Sequence, residues 1–568
     1  MNLILDFRKL SLSEARLINE IAEKIRNDYI DFLSNLGKNN GNNIDWWMIE
    51  FVSRNTLASD LFYNFCKIVF FKEKIKNGFV YKKIITDSIG LKIIIENYCN
   101  IKGHSCNIVY KGKNYFWICI KRILSYFKSC IHFFLRWVFA WNTRHYQKKI
   151  IMDKGITLID TFVLKNSFKN SIYNDRYYGR LLEYLGKDEK KDFYYVPTYY
   201  GIRNYRKLFV NMRTSKQKFL IKEDYLRIKD YYFALLYPFR VRKLMVKMRI
   251  FKGFNVYPLI KEEILKNSVS GSSMQGLLNY RFAQRLKKNN IKIRMVVNWF
   301  ENQTIDHGFN FGFRKYYPEV CLMGYQGFPL SNNRLSLYPT KQELTCKVIP
   351  KELKVIGKGY VKLAKKFCPD LKVTVAPALR FDGVWNKWKA CPKENKFIIL
   401  ISLPGLMKEA EELIEISLEI AKTIKIDNCF FQIKPHPARD IKKIKAKLKE
   451  KFTRKFEFVQ GDFNLCVERS NILISCISST CLETLAKGIP VIVIASKVGL
   501  IQLDIPKDIK QDIWRLCYDA QEVGNAIIYY ANRDVDTIKK HKEIGRKIRE
   551  NYFEPVTREN VRKFLRLQ

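Results

Sequence analysis

Two stretches decide how this chain is read. One is Cys429-Phe430-Phe431-Gln432-Ile433-Lys434-Pro435-His436-Pro437; the other is Ile472-Leu473-Ile474-Ser475-Cys476, running on into Ser478-Ser479-Thr480-Cys481-Leu482-Glu483. Each begins as an apolar run of strand length and ends in polar or small residues. The second leads through Gly488 and Pro490 into another apolar run, Val491-Ile492-Val493-Ile494. Short buried strands with helices between them build an open parallel sheet, and such sheets bind ligands just beyond their strand ends. A cationic, imidazole-bearing loop beside a hydroxyl cluster that opens a helix suits the phosphates of a nucleotide.

Working outward, the pattern continues on both sides. Strands are expected at 397–403, 429–434, 456–459, 472–476 and 490–495, and helices at 408–425, 438–452, 479–487 and 520–532. This alternation predicts a doubly wound sheet, closed by a last helix at 557–566. Asp382-Gly383 and Cys391-Pro392-Lys393-Glu394-Asn395-Lys396 break the pattern, which suggests a boundary. The expected division is an N-terminal Rossmann-like domain at 1–385, a C-terminal domain at 386–556 and a C-terminal helix at 557–568. Upstream, Tyr81 to Asp87, Ser88 to Ile101 and Cys106 to Tyr110 read as a βαβ unit. Strand-like runs recur at 156–160, 193–196, 293–298, 320–325 and 373–376. The fold class expected is therefore α/β, with two Rossmann-like doubly wound domains facing a cleft.

The chain has 568 residues, too many for one ordinary core, and 47% are hydrophobic, which excludes a disordered tail. Its 102 Lys and Arg against 55 Asp and Glu give a formal charge of +47, spread along the chain. That field favours nucleic acid, an anionic membrane or an anionic substrate. No RNA-module aromatic motif or zinc finger accompanies the charge, so nucleic acid is the weaker partner, although a basic nucleic-acid-binding protein stays an alternative. The 14 Cys form no CxxC pair and the six His are not spaced with them as zinc ligands, so reduced thiols in a cytosolic protein are expected. Asp6 and Arg8 interrupt the N-terminus where a secretion signal needs an apolar core.

No run is long enough for a membrane-spanning helix; residues 115–141 come closest. On a helix, Lys121, Arg122, Ser125, Lys128, Ser129, His132 and Arg136 share a sector of roughly 120°, and the rest of the circle is aromatic, aliphatic or Cys. An amphipathic insertion at 113–146 is expected within the N-terminal α/β domain. It either lies on a membrane surface or is buried on three sides in the core.

In Lys434-Pro435-His436-Pro437 two prolines fix the backbone around one imidazole at a strand end. Lys434 or His436 there can bond a phosphate oxygen; a solvated His in a capped loop is the plain alternative. Ser478, Ser479 and Thr480 open a helix, where hydroxyls and free N–H groups bind anions or simply cap it. Glu483, one turn in, meets ribose hydroxyls or satisfies backbone donors. Gly405, in Ser402-Leu403-Pro404-Gly405, lets backbone approach a phosphate. Glu301, in Trp299-Phe300-Glu301-Asn302, stands at a strand end where it can deprotonate an acceptor hydroxyl or cap the loop. Arg380 can pair with a sugar carboxylate or a phosphate, or form a structural ion pair. The lone Asp534-Val535-Asp536 follows a predicted helix and reads as a solvated turn, a poor place for a metal.

These residues together resemble the C-terminal half of a GT-B glycosyltransferase. The His436-Pro437 and Ser478-Ser479 pairs are similar to those of bacterial sialyltransferases and Kdo transferases, which use CMP-sugars. In those families the pairs contact the donor's nucleotide phosphate, so the resemblance implies that role for His436, Pro437, Ser478 and Ser479. It covers 397–500 by motif. Segments at 299–308, 324–328 and 376–381 resemble a group of uncharacterised bacterial surface-carbohydrate biosynthesis proteins. The Ser-x-x-x-x-Glu helix start followed by Gly-x-Pro also resembles UDP-sugar transferases and UDP-GlcNAc 2-epimerases, and the Lys-x-His-Pro-like loop resembles polyol-phosphate transferases. The CMP-sugar families carry adjacent acids followed by Gly in their N-terminal half; here a single Glu301 is followed by Asn302.

The resulting expectation is a metal-independent glycosyltransferase, without cofactor, at the cytoplasmic face of a bacterial membrane. It moves a sugar from a nucleotide donor, CMP-linked by preference, to a surface-polysaccharide or lipid-linked glycan in its N-terminal acceptor domain. The expected donor residues are Gly405, Lys434, His436, Pro437, Ser478, Ser479, Thr480 and Glu483, with Glu301 as base. A UDP-sugar 2-epimerase or a polyol-phosphate transferase on the same scaffold is the alternative enzyme.

Overall fold

The structure is a computed structural model. It describes residues 3–112, 114–146, 155–169, 171–244, 246, 249–386, 396–405, 407–424, 426–436, 455–476, 478–496 and 499–567. Pro437 and the helix expected at 438–452 lie outside the described residues.

Three parallel sheets carry the fold. The first comprises β1 (Leu3–Asp6), β2 (Tyr81–Thr86) and β3 (Asn107–Tyr110), all parallel, in the order 1-2-3. Helices α1 (Leu12–Leu36), α2 (Leu61–Lys76) and α3 (Ile89–Lys102) accompany it. Ser11 and Glu14 close a reciprocal capping box at the start of α1, which satisfies two otherwise orphaned N–H groups.

From β3 the chain enters α4 (Tyr115–Asn142), a 28-residue helix about 40 Å long. It stands between two sheets of the N-terminal half. The strands before it pair only among themselves, and its length carries the chain away to a separate sheet. That second sheet has β4 (Ile156–Leu164), β5 (Phe193–Tyr200), β6 (Ile293–Trp299), β7 (Cys321–Gln326), β8 (Glu352–Val355) and β9 (Lys372–Val375), all parallel, in the order 9-8-7-6-4-5. Between β5 and β7, α5 (Gly271–Lys288) packs on α6 (Thr304–Tyr316) at closest range. A Cβ on Gly308 would collide with the Gly276 carbonyl, so only glycine permits this approach.

The third sheet has β10 (Phe397–Ser402), β11 (Cys429–Lys434), β12 (Phe456–Phe458), β13 (Ile472–Ser475), β14 (Val491–Ile494) and β15 (Trp514–Cys517), in the order 12-11-10-13-14-15. Its central strands β13 and β14 are buried along their whole length, as parallel strands covered on both faces must be. Helices α7 (Met407–Thr423), α8 (Thr480–Leu485) and α9 (Ala520–Ala531) connect or follow them. The architecture is therefore α/β, with two doubly wound parallel sheets whose carboxyl-end loops meet. Asn332 N–H donates to the Leu503 carbonyl (3.4 Å) and Asn333 Nδ2 to the Ile501 carbonyl (2.8 Å).

After β15 the chain recrosses the cleft. In α10 (Val535–Tyr552) the Asp534 carboxylate accepts from Thr537 N–H at 2.7 Å, so Asp534-Val535-Asp536 is a helix start and not the solvated turn expected. Ala378 N–H donates to the Glu554 carbonyl (2.9 Å), and Glu554 N–H to the Ile356 carbonyl (2.6 Å). In α11 (Arg558–Phe564) and just beyond it, Arg562 pairs with Glu189 and Arg566 with Glu352. The end of the chain thus packs on the second sheet.

Candidate active site at two facing sheets

Strand order determines where the chemistry-bearing loops stand. In the third sheet β10 pairs with β11 on one side and β13 on the other, with Ser402 in register with both Lys434 and Ser475. The crossovers change direction between β10 and β13, which opens a crevice at their carboxyl ends. Gly405 follows β10, His436 follows β11, and Ser478, Ser479 and Thr480 follow β13. With neighbouring strands about 4.8 Å apart, these loops come together within about 10 Å of sheet width. A Cβ on Gly405 would stand 3.7 Å from His436 Nδ1, so the imidazole lies against that glycine.

Lys434 Nζ donates to the Gly461 carbonyl at 2.7 Å, which ties it to the loop after β12. Ser478 Oγ accepts from Thr480 N–H (3.3 Å) and from Thr480 Oγ1 (2.8 Å). Ser479 has helical backbone angles and no side-chain cap. It does bond to Glu483, whose carboxyl burial pushes up to about 7 against the pull of Arg380 and Lys487.

The second sheet has its own change of direction, between β4 and β6. Glu301 follows β6 there. Its Oε1 accepts from Trp299 Nε1 (2.9 Å); its Oε2 accepts from Gln303 Nε2 (2.7 Å) and Arg334 Nη2 (2.8 Å). Three donors, one a guanidinium, fix the carboxylate in place and take up both of its oxygens. Beneath it Asn302 adopts φ +56°, with Nδ2 donating to the Ser336 carbonyl and Oδ1 meeting His307 Nε2 at 2.9 Å. Asp306 accepts from the Glu301 and Gln303 N–H groups, closing the start of α6. Glu301 is thus a rigidly held carboxylate as well as a cleft residue.

The structure adds residues that sequence reasoning missed. Asp504, in the loop after β14, is pushed up to about 6 by burial, with Arg334 and Arg380 pulling the other way. Arg380 is exposed and stacks on Phe381 (5.6 Å). It acts electrostatically on Glu483 and Asp504 from the third sheet and on Arg176 and Tyr177 from the second. A cavity of about 670 Å³ opens beside it, lined by Arg380, Asp382, Asn464 and Glu468 among others. Leu503-Asp504-Ile505-Pro506, an acid in a loop beyond an apolar strand, was the available signal for Asp504. Arg334 sits in a loop with no such mark.

No family model matches the chain, and no curated protein matches it. Solved structures do. A UDP co-structure of S. aureus MnaA aligns with TM-score 0.43 at 11% identity, over 73% of this chain and 98% of that one. The lipopolysaccharide outer core galactosyltransferase WaaB aligns with TM-score 0.39 at 13% identity, over 73% and 100%. UDP-GlcNAc 2-epimerase from Neisseria meningitidis, bound to UDP-GlcNAc, aligns with TM-score 0.40 at 12% identity, over 72% and 98%.

Outside the cleft, α4 docks through part of its polar stripe. Arg122, His132 and Arg136 of that stripe are turned toward the protein, while Lys121, Ser125 and Lys128 stay exposed and much of the apolar face meets solvent. Arg136 is 4% exposed; it bonds Glu223 and Gln275 Oε1 (2.6 Å) and stacks over the Tyr199 ring at 4.7 Å. Arg122 Nη2 donates to Ser268 Oγ (2.7 Å), and His132 meets Tyr205 Oη at 2.5 Å. Opposite them, Phe116, Trp117, Leu124, Ile131, Phe134 and Trp141 are each about 60% exposed. The helix is therefore not buried on three sides. Buried hydrogen-bonded cations hold it, because breaking such pairs leaves a charge unsatisfied in the interior. Among the described residues no helix is long and apolar enough to cross a membrane.

Proposed function

We propose that this chain is a GT-B-like glycosyltransferase that takes its sugar from a nucleotide donor, CMP-linked by preference, and passes it to a surface-polysaccharide or lipid-linked glycan. The observation that carries this reading is the meeting of two strand-order reversals. Gly405, His436 and Ser478 to Thr480 stand at one, and the loop of Glu301 at the other. In this reading residues 386–556 hold the donor and 1–385 the acceptor, with 557–568 as a C-terminal helix.

His436 and Ser479 bond the phosphate nearest the sugar, with Pro437 expected beside them. Lys434, Ser478 and Thr480 shape the loops around it, and Arg380 adds positive charge from across the cleft. Fixed cationic and hydroxyl groups then neutralise the leaving phosphate as charge develops, so the step needs no divalent ion. Glu483 accepts from a ribose hydroxyl. Glu301 is the carboxylate expected to take the acceptor's proton, but its three donors suit it better to fixing Arg334. Asp504, raised to about 6, is the better proton acceptor near neutral pH. The outward apolar face of α4 lies in the interfacial layer of a membrane, and the +47 charge favours anionic lipid, as expected of an enzyme at the inner face of the cell membrane.

Nucleotide release from CMP-, UDP- and CDP-linked sugars, with and without lipid-linked acceptors, tests this. CMP release is expected, and His436→Ala should lower it on the order of 100-fold. Asp504→Asn should lower kcat/KM and remove its acid limb, the fall in rate as pH drops below about 6. No release from any donor, or an unaltered H436A, would sink the proposal; epimerisation of a UDP-sugar without transfer would replace it.

A further inference from the structure

A second cavity, of about 850 Å³, lies far from the cleft residues in sequence and belongs to the first sheet. It opens at the carboxyl ends of β1, β2 and β3, which is where an open parallel sheet presents ligands. One wall is the start of α4, through Ile118, Lys121, Arg122 and Ser125. Six cations line it against three carboxylates, Asp60, Asp87 and Glu262.

Three of the six are already engaged. Arg8 pairs with Asp6 at 2.7 Å, Arg122 bonds Ser268, and Lys266 is within 3.8 Å of Asp60 and 3.5 Å of Glu262. Glu262 is itself occupied by the first turn of α3, accepting from Ser88 Oγ (2.6 Å) and Gly90 N–H (2.8 Å). The other three are Lys67, Lys111 and Lys121, and among the described residues none has an ion-pair partner. Lys67 decides the matter. It is only 5% exposed, and its ammonium rests over the Tyr63 ring at 4.3 Å without a hydrogen-bond partner among the described residues. Burial lowers its pKa, and Asp87 and Asp60 oppose that only through space. The side chain is thus nearly sheathed while its ammonium reaches the cavity without an acceptor, and an anion there supplies one.

We propose that this cavity binds a phosphate group, with Lys67 as its inner cation and Lys111 and Lys121 at its rim. The site is separate from the nucleotide crevice and does not rest on the nucleotide-sugar reading. Phosphate can reach it in two forms, free in solution or on a lipid headgroup, since α4 joins the cavity wall to the exposed apolar face.

The test uses the full chain, inorganic phosphate in equilibrium dialysis, and flotation with phosphatidylcholine vesicles with and without phosphatidylglycerol. Lys67→Met keeps the side chain's length and removes its charge. If free phosphate is the ligand, K67M should weaken phosphate binding at least about tenfold and leave flotation unchanged. If the ligand is a headgroup, K67M should lose the extra binding given by phosphatidylglycerol and keep binding to phosphatidylcholine alone. Lys111→Ala with Lys121→Ala, both at exposed positions, should act in the same direction and serves if K67M fails to fold. Wild-type binding of neither probe, or binding of both unchanged in the variants, would overturn the site. Donor hydrolysis should be unaffected by either variant, which separates its failure from that of the glycosyltransferase reading.

Discussion

Replacing Trp117, Phe127 and Phe134 with Ser tests the orientation of α4 directly. These side chains are 63%, 57% and 60% exposed and make no buried contact worth the name on that portion of their surface. A large aromatic presents about 200 Å² when free, so the three together offer on the order of 350 Å² to a membrane. At about 25 cal/mol per Å², full removal from water amounts to roughly 9 kcal/mol. An interfacial helix sinks only part-way into the headgroup boundary, so about half of this, roughly 4 kcal/mol, is expected on binding. The triple variant should therefore partition into neutral phosphatidylcholine vesicles about a thousandfold less well. Its thermal unfolding should change little, because exposed substitutions usually shift stability by about 0.5 kcal/mol or less. Sedimentation with vesicles reads the partitioning, and neutral lipid removes the contribution of the net charge. A change of less than fivefold would refute the argument. So would a wild-type dimer that the triple variant dissolves, since the apolar face would then be covered by a second copy.

Two further predictions concern stability. Glu483 has its carboxyl raised from 4.5 to about 7, so between those values the folded state keeps a proton that the unfolded state has lost. Stability from this group therefore falls as pH rises through that window, by about 3 kcal/mol in all, and Glu483→Gln should flatten the urea midpoint between pH 5 and 8 by a comparable amount; parallel wild-type and E483Q curves would rule this out. Arg136→Met strands the buried Glu223 carboxylate and should cost about 3–5 kcal/mol in denaturant unfolding, with Glu223→Gln restoring part of it. A loss under about 1 kcal/mol would mean that α4 is held by something other than its buried cation.

The strands were legible because burial on both faces writes them as continuous apolar runs. Cys429–Lys434 matches the expected limits, and Ile472–Ser475 and Val491–Ile494 fall within theirs. The positions of their loops followed from the strand ends, since a proline, a glycine or a hydroxyl pair directly after such a run marks where the strand stops. Edges and connections were harder. Trp514–Cys517, at the sheet edge, is broken by Arg515, and Glu352–Val355 carries two charges within four residues, so neither reads as a strand by itself. Two of the strands before α4 read as a βαβ unit, but Leu3–Asp6 did not read as a strand, and nothing showed that the three close into a sheet of their own, because pairing partners are not encoded in local periodicity.

By itself, the sequence determined that this is an α/β chain with phosphate-suited loops at strand ends, and that residues 115–141 form an amphipathic helix. Periodicity and turn chemistry are local properties, and they survive without knowledge of what lies opposite. Tertiary structure alone decided the rest. It set the strand orders that bring Gly405, His436 and Ser478 to one crevice. It tied Glu301 to Arg334 and set Asp504 within the influence of Arg334 and Arg380, contacts between segments far apart along the chain. It also turned Arg136 of the α4 stripe inward, because Glu223 and Gln275 wait in the interior to receive it, and no helical wheel records what a helix is packed against.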